Sequence, residues 1–169
     1  VVSHRPELNK KNYMQDNSDY INLPELIDYL HDLKFCVRLT CVCCKNMMDN
    51  SQEVEEFIKF AKENQVEQVT LRPVNDEYRR ESAHLWILEN KLTDENKKDI
   101  KDYLEKNGTK LLELERIGTI YDVDGQNVLF SLPLTKYTRD TNPENLRNLI
   151  FFQDGHIRYE WEMEGGILL

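Results

Sequence analysis

The stretch Lys34–Val74 constrains the fold most, because its hydrophobic period changes from two to 3.6 and back. In KFCVRLTCVCC, Phe35, Val37, Leu39, Cys41 and Cys43 fall on one face of an extended chain. Cys36, Arg38, Thr40, Val42 and Cys44 fall on the other. The next segment, EVEEFIKFAKENQ, places Val54, Phe57, Ile58 and Ala61 on one helical stripe. Asn50 is positioned to cap that helix, with Glu53 three residues on as a capping-box partner. VEQVTLRPV then returns to an extended pattern. Strand, crossover helix and strand predict a βαβ unit with parallel strands and a right-handed crossover.

The polar face of the first strand carries the functional expectation. Arg38 and Thr40 stand mid-strand, where a simple core would not place them. In a parallel barrel, helices cover the outside and ligands are held at the carboxyl ends of the strands. A strand apolar outward and polar inward fits a barrel whose lumen holds a ligand. The fold class expected is therefore α/β, the second half of a (β/α) TIM-type barrel with an antiparallel β-hairpin tail. Residues 1–113 form the partial barrel. Residues 114–169 form a carboxyl-terminal antiparallel extension packed on the same domain.

Charge narrows the partners. A net charge of −9 argues against nucleic acid, because phosphate neutralisation needs a basic face. No apolar run approaches the ~20 residues that span a bilayer, and VVSHRPELNKKN is too polar for a signal peptide. A cytoplasmic location is expected, with neither nucleic acid nor membrane as partner. The four cysteines lie within nine residues, most of them on one strand, so a reducing compartment is expected rather than a disulfide framework. Their Cys-x4-Cys-x-Cys-Cys spacing matches no zinc pattern, so no metal ligands are assigned and the thiols read as small buried hydrophobes.

Along the chain, VVSHR reads as a strand end running into a polar loop over 6–22, with Ser3 and Arg5 at the strand's carboxyl end. LPELIDYLHDL is a helix with Pro24 in its first turn and a stripe of Leu23, Leu26, Ile27 and Leu30, which leaves His31 at the surface. Residues 75–93 read as a loop with a helical turn in which Trp86 packs inward. Thr93 caps a helix over 94–107 that carries Ile100, Tyr103 and Leu104, and Gly108 ends it in the left-handed conformation. Asp124-Gly125 and Asp154-Gly155 each lie between β-rich runs and predict two hairpins. The stretch TKYTRDTNPENLR between them reads as a loop with a helical turn, Trp161 as a residue covering a sheet face, and Gly165-Gly166 as a flexible turn.

These residues resemble a known family. KFCVRLTCVCCKNMMDNSQEVEEFIKFAKENQVEQVTLRPV is similar to the later barrel strands of radical S-adenosylmethionine (radical SAM) enzymes. VVSHRPELNKKNYMQDN is similar to the strand and loop before them. YDVDGQNVLFS and NLIFFQDGHIRYEWEMEGGILL are similar to the carboxyl-terminal strands of one subgroup. The resemblance implies S-adenosylmethionine and a [4Fe-4S] cluster as cofactors of the complete protein. It places cofactor-binding positions at Ser3, Arg5, Arg38, Thr40, Leu71 and Arg72, with catalytic residues and substrate unassigned. Arg38 would offer a planar fork to a carboxylate, and Thr40 a hydroxyl to a ribose.

The family's Cys-x3-Cys-x2-Cys cluster motif has no counterpart in this chain. The resemblance therefore implies a fragment, the carboxyl-terminal part of a radical SAM protein, inactive alone and missing the amino-terminal half. The alternative is a non-catalytic half-barrel that binds a partner or self-associates through its open edges. A third reading makes Cys41, Cys43 and Cys44 a thiol or metal centre.

Overall fold

A computed structural model describes residues 1–13, 20–74, 81–114, 117–131 and 149–158. It has two compact units, Val1–Lys136 and Tyr137–Leu169.

In the first unit the elements run α1 (Pro6–Tyr13), α2 (Leu23–Asp32), β1 (Arg38–Cys43), α3 (Ser51–Glu63), β2 (Gln68–Pro73), α4 (Glu81–Asn90), α5 (Asp94–Asn107), β3 (Thr109–Leu114), β4 (Gly118–Val123) and β5 (Gln126–Ser131). The five strands form one sheet in the order β1-β2-β5-β4-β3. The β1–β2 and β2–β5 pairs are parallel, and β5–β4 and β4–β3 are antiparallel. The βαβ unit expected from the sequence is present. In the second unit, β6 (Ile150–Phe151) and β7 (Ile157–Arg158) pair antiparallel around the Asp154-Gly155 turn.

The fold is mixed α/β, and the sheet is not closed into a barrel. The Asp124-Gly125 hairpin forms with both turn residues at positive φ, 51° and 82°. Its strands do not make a separate tail. β5 continues the parallel run beside β2, and β4 and β3 follow it in the same sheet. The change of composition after residue 108 thus marks the start of β3 within the first unit. The side chain of Gln126 secures this placement from a buried position, donating to the Val66 carbonyl at 3.0 Å. The last turn of α3 reaches the same hairpin through a Lys62–Asp124 ion pair.

The core lies on one side of the sheet. Leu39, Cys41 and Cys43 of β1, Val69 and Leu71 of β2, Val128 and Phe130 of β5, and Tyr121 and Val123 of β4 point there. They meet Ile27 of α2, Val54, Phe57, Ile58 and Ala61 of α3, and Ile100 and Leu104 of α5. The α3 stripe read from the sequence is the face that helix buries, whereas in α2 only Leu23 and Ile27 of the expected stripe are buried and Leu26 is exposed.

Helix ends follow local chemistry. Asn22, Asn50 and Thr93 cap α2, α3 and α5 through their side chains. At α3, Asn50 accepts from the Glu53 amide at 3.0 Å, but the Glu53 carboxylate pairs with Arg5 instead of completing a capping box. The reciprocal box occurs at α5, between Thr93 and Asn96. The Ser51 amide and hydroxyl at the start of α3 donate to Asp99 of α5 at 2.6 and 3.2 Å. Helices α2 and α3 both stop through a residue at positive φ, Lys34 at 67° and Gln65 at 56°. In each case the following amide, Phe35 or Val66, bonds back to the Leu30 or Ala61 carbonyl.

Several local expectations are corrected. β1 begins at Arg38, because Lys34 and Phe35 are spent terminating α2; Phe35 is consequently exposed. Residues 6–13 form a helix, α1, where a loop was read. Residues 81–90 form a ten-residue helix, α4, where a helical turn was read. Ile87 is its buried apolar anchor, while Leu85, Trp86 and Leu88 are exposed, so Trp86 does not pack inward. Gly108 is extended, at φ −120° and ψ 158°, not left-handed. It is needed for space: a Cβ there would lie 2.8 Å from the Leu104 carbonyl oxygen and 2.9 Å from Val123 Cγ2. The expectations for 132–148, Trp161 and Gly165-Gly166 lie outside the described residues.

Candidate functional site

Strand alternation and register place a second set of side chains on the face opposite the core. Parallel pairing sets Arg38 beside Gln68, Thr40 beside Thr70 and Val42 beside Arg72. It continues from Gln68 to Asn127 and from Thr70 to Leu129 on β5. This face is therefore polar across β1, β2 and β5, and none of its residues belongs to the core cluster.

The main chain before α1 adds to the same parallel arrangement. The Val1 nitrogen donates to the Thr40 carbonyl at 3.0 Å, and the Val42 amide donates to the Val1 carbonyl at 2.9 Å. These two bonds flank Cys41 in the pattern of a parallel bridge. Ser3 and Arg5 follow Val1 in the chain, and residues 1–5 form no strand of their own beyond this bridge. Both are committed to local structure. The Ser3 hydroxyl, fully buried, accepts from the Arg5 amide at 3.1 Å. Asn9 of α1, also fully buried, closes this turn: its carbonyl oxygen accepts from the Val2 amide at 2.8 Å, and its amide donates to the Ser3 carbonyl at 2.6 Å. The Arg5 guanidinium pairs with Glu53 on α3. His4 lies between Phe60, at 5.9 Å between ring centres, and Glu56 at 3.8 Å. Burial, aided by the neighbouring Arg5 charge, pulls the His4 pKa below its usual value.

The six positions expected to bind a cofactor therefore separate. Arg38, Thr40 and Arg72 share the polar face. Ser3 and Arg5 hold the α1 turn and α3. The Leu71 side chain is fully buried in the core, on the other side of the sheet, which leaves only its main chain on offer to a ligand. Arg38 also stands at the amino end of β1, about 13 Å along the strands from the level of Arg72. Arg72 lies near the carboxyl end, where parallel sheets hold ligands.

Two features of this face were not singled out from the sequence. Gln68 and Asn127 join across β2 and β5, with Nε2 donating to Oδ1 at 2.7 Å. Thr70, at the centre, is only 2% exposed, and its hydroxyl has no hydrogen-bond partner among the described residues. The alternation of VTLRP carried the signal for Thr70, since it puts Thr70 and Arg72 on one face and Leu71 on the other.

Chemically the face offers donors: two guanidiniums, two threonine hydroxyls and side-chain amides. Asp122 is the carboxylate it carries among the described strands, and its Oδ1 accepts from the Gly125 amide at 2.7 Å in the hairpin turn. Such donors are chemically suited to an acceptor-rich or anionic group.

The thiols do not fit a [4Fe-4S] cluster. Cys36 is exposed ahead of β1, whereas Cys41, Cys43 and Cys44 are buried, Cys41 and Cys43 within the core. Burial pushes the Cys43 thiol well up and the Cys44 thiol up to about 11, so both keep their protons at neutral pH. Among the described residues no group of three or more His, Cys, Asp or Glu could hold a metal ion. No helix of the described residues is long and apolar enough to cross a membrane.

No protein-family model, no curated protein and no solved structure matches the chain.

Proposed function

We propose that this chain is the carboxyl-terminal part of a radical SAM-type barrel and that the polar face of its sheet is the part of the chamber that holds S-adenosylmethionine. Two arrangements support the reading. Strands β1, β2 and β5 are parallel neighbours, with the Val1 main chain bridged to β1 in the same sense. The helices that build the core lie on one side of these strands, and the donor-bearing face is the other.

The observation that carries the reading is the Thr70 hydroxyl, held out of water without a partner among the described residues. A buried hydroxyl left unpaired costs on the order of 1–3 kcal/mol, a cost relieved when a ligand oxygen accepts from it. Thr40 stands beside it in register. Arg72, two residues toward the carboxyl end, brings the guanidinium suited to a ligand carboxylate. When bound and reductively cleaved, S-adenosylmethionine supplies hydrogen-abstracting radical chemistry, while the protein orients it and excludes water. The described cysteines do not fit a [4Fe-4S] cluster, and no role toward one is assigned to them.

Thr70→Val tests the assignment on the natively purified protein. The variant removes the hydroxyl and keeps the shape, so its unfolding midpoint in urea is expected to stay or rise. Its affinity for S-adenosylmethionine, measured by equilibrium dialysis, is expected to fall about ten-fold, the worth of one hydrogen bond. A variant that unfolds more easily and binds as tightly as the parent would show Thr70 to be a packing residue.

A further inference from the structure

Among the described residues strand β3 is the last strand of the sheet, bonded to β4 alone, and its residues are almost all exposed. Leu111 and Leu112 are 53% and 51% exposed, in the middle of a strand whose outer edge pairs with none of the described residues. Its pairing with β4 shifts register between Lys110 and Leu112, with Leu111 as the extra residue. That bulge has a geometric consequence. Lys110 lies opposite Tyr121 and Glu113 opposite Thr119, so two residues three apart share one face of the sheet and form an ion pair there. In a regular strand, residues three apart point to opposite faces.

We propose that β3 is a self-association edge: two copies of this chain pair antiparallel along Thr109–Leu114, about a two-fold axis between Leu111 and Leu112. A two-fold there pairs residues whose numbers sum to a constant, and each contact occurs twice. Lys110 of one copy then faces Glu113 of the other on the core side of the sheet. Leu111 faces Leu112, and Thr109 faces Leu114. The pattern is self-complementary in charge and matches leucine with leucine. This works only because of the bulge, since in a regular strand this register would set Lys110 and Glu113 on opposite faces. A bulge ordinarily discourages edge pairing. Here the axis sets each bulge against its copy, so the registers on both sides stay matched. The occupant is a second copy rather than an unrelated strand because one short sequence supplies both halves of the charge pattern. The inference is independent of the barrel reading, which concerns the strands at the other end of the sheet.

Sedimentation equilibrium of the native protein across the micromolar range tests it. The expected result is a mass twice that of the protomer. Lys110→Glu and Glu113→Lys each set like charges opposite one another at two places and are expected to weaken dimerisation about ten-fold or more. The double variant Lys110→Glu/Glu113→Lys restores the pattern and is expected to return within a few-fold of the parent. Both side chains are more than half exposed, so their pair within one chain adds little stability, and thermal melts of the variants should match the parent. A protomer mass at every concentration overturns the proposal. So does a dimer that none of the variants weakens, a double variant as weak as the single ones, or a stoichiometric second polypeptide in place of the copy.

Discussion

Phe57→Ala is expected to lower the unfolding free energy by about 3–5 kcal/mol, the range for removing a buried phenylalanine. Phe57 is fully buried on α3, in the apolar stripe with Val54, Ile58 and Ala61. That stripe is the crossover between β1 and β2, so the cavity would open under the parallel part of the sheet. The surrounding β1 and β2 residues, Leu39, Cys41, Val69 and Leu71, are fixed by ladder bonds and have little room to collapse into it. A domain of this size typically has only about 5–15 kcal/mol in hand, so the variant approaches the unfolding threshold. Urea denaturation with the slope held constant gives the number. A loss below about 1 kcal/mol would mean that α3 does not pack on the sheet as described.

Gly118→Ala is expected to be nearly as damaging, for a backbone reason. Gly118 opens β4 opposite Ser131 with φ at +148°, a conformation that side chains rarely adopt. A Cβ there would lie 2.1 Å from the Phe130 carbonyl oxygen and 2.9 Å from the Ser131 Cα. Both obstacles are backbone, so neither can swing away. Strain of this kind costs about 1–3 kcal/mol even before the clash forces β4 from β5. Gly125→Ala is the matching control. It also sits at positive φ, +82°, but nothing lies within 4 Å of its Cβ position. Its cost should be limited to the left-handed backbone, about 1–2 kcal/mol. Equal losses at the two positions would contradict the close approach at Gly118.

The βαβ unit was legible because each of its parts has its own period. The alternation of β1, the stripe of α3 and the alternation of β2 needed no tertiary information. The caps at Asn22, Asn50 and Thr93 were equally local, although only two of the three were read. What escaped were consequences of position in the fold. The Asp124-Gly125 hairpin was visible as a turn, but nothing within QNVLFS says that it inserts beside β2. That depends on Val128 and Phe130 reaching the same core as Val69 and Leu71. Helix α4 was missed because Leu85, Trp86, Ile87 and Leu88 are consecutive and define no stripe, and only Ile87 is buried. Gly108 follows a helix, the position of a left-handed cap, yet it is extended, and close packing against Leu104 and Val123 explains it.

The candidate site divides in the same way. Alternation placed Arg38 and Thr40 on the polar face, and the same rule applied to β2 would have separated Leu71 from Thr70 and Arg72. The fate of Ser3 and Arg5 was not readable, because it rests on contacts with Asn9 and Glu53, six and 48 residues away. Absence of a hydrogen-bond partner at Thr70 is likewise a property of the assembled sheet, invisible in VTLRP.

The most direct test of the central claim is the intact mass of the natively expressed protein, read with its upstream coding sequence. The account predicts a mass well above the 20.2 kDa of this chain, with a Cys-x3-Cys-x2-Cys segment in the additional part. A native mass of 20.2 kDa with no such segment would contradict it and would leave the polar face without radical chemistry to serve.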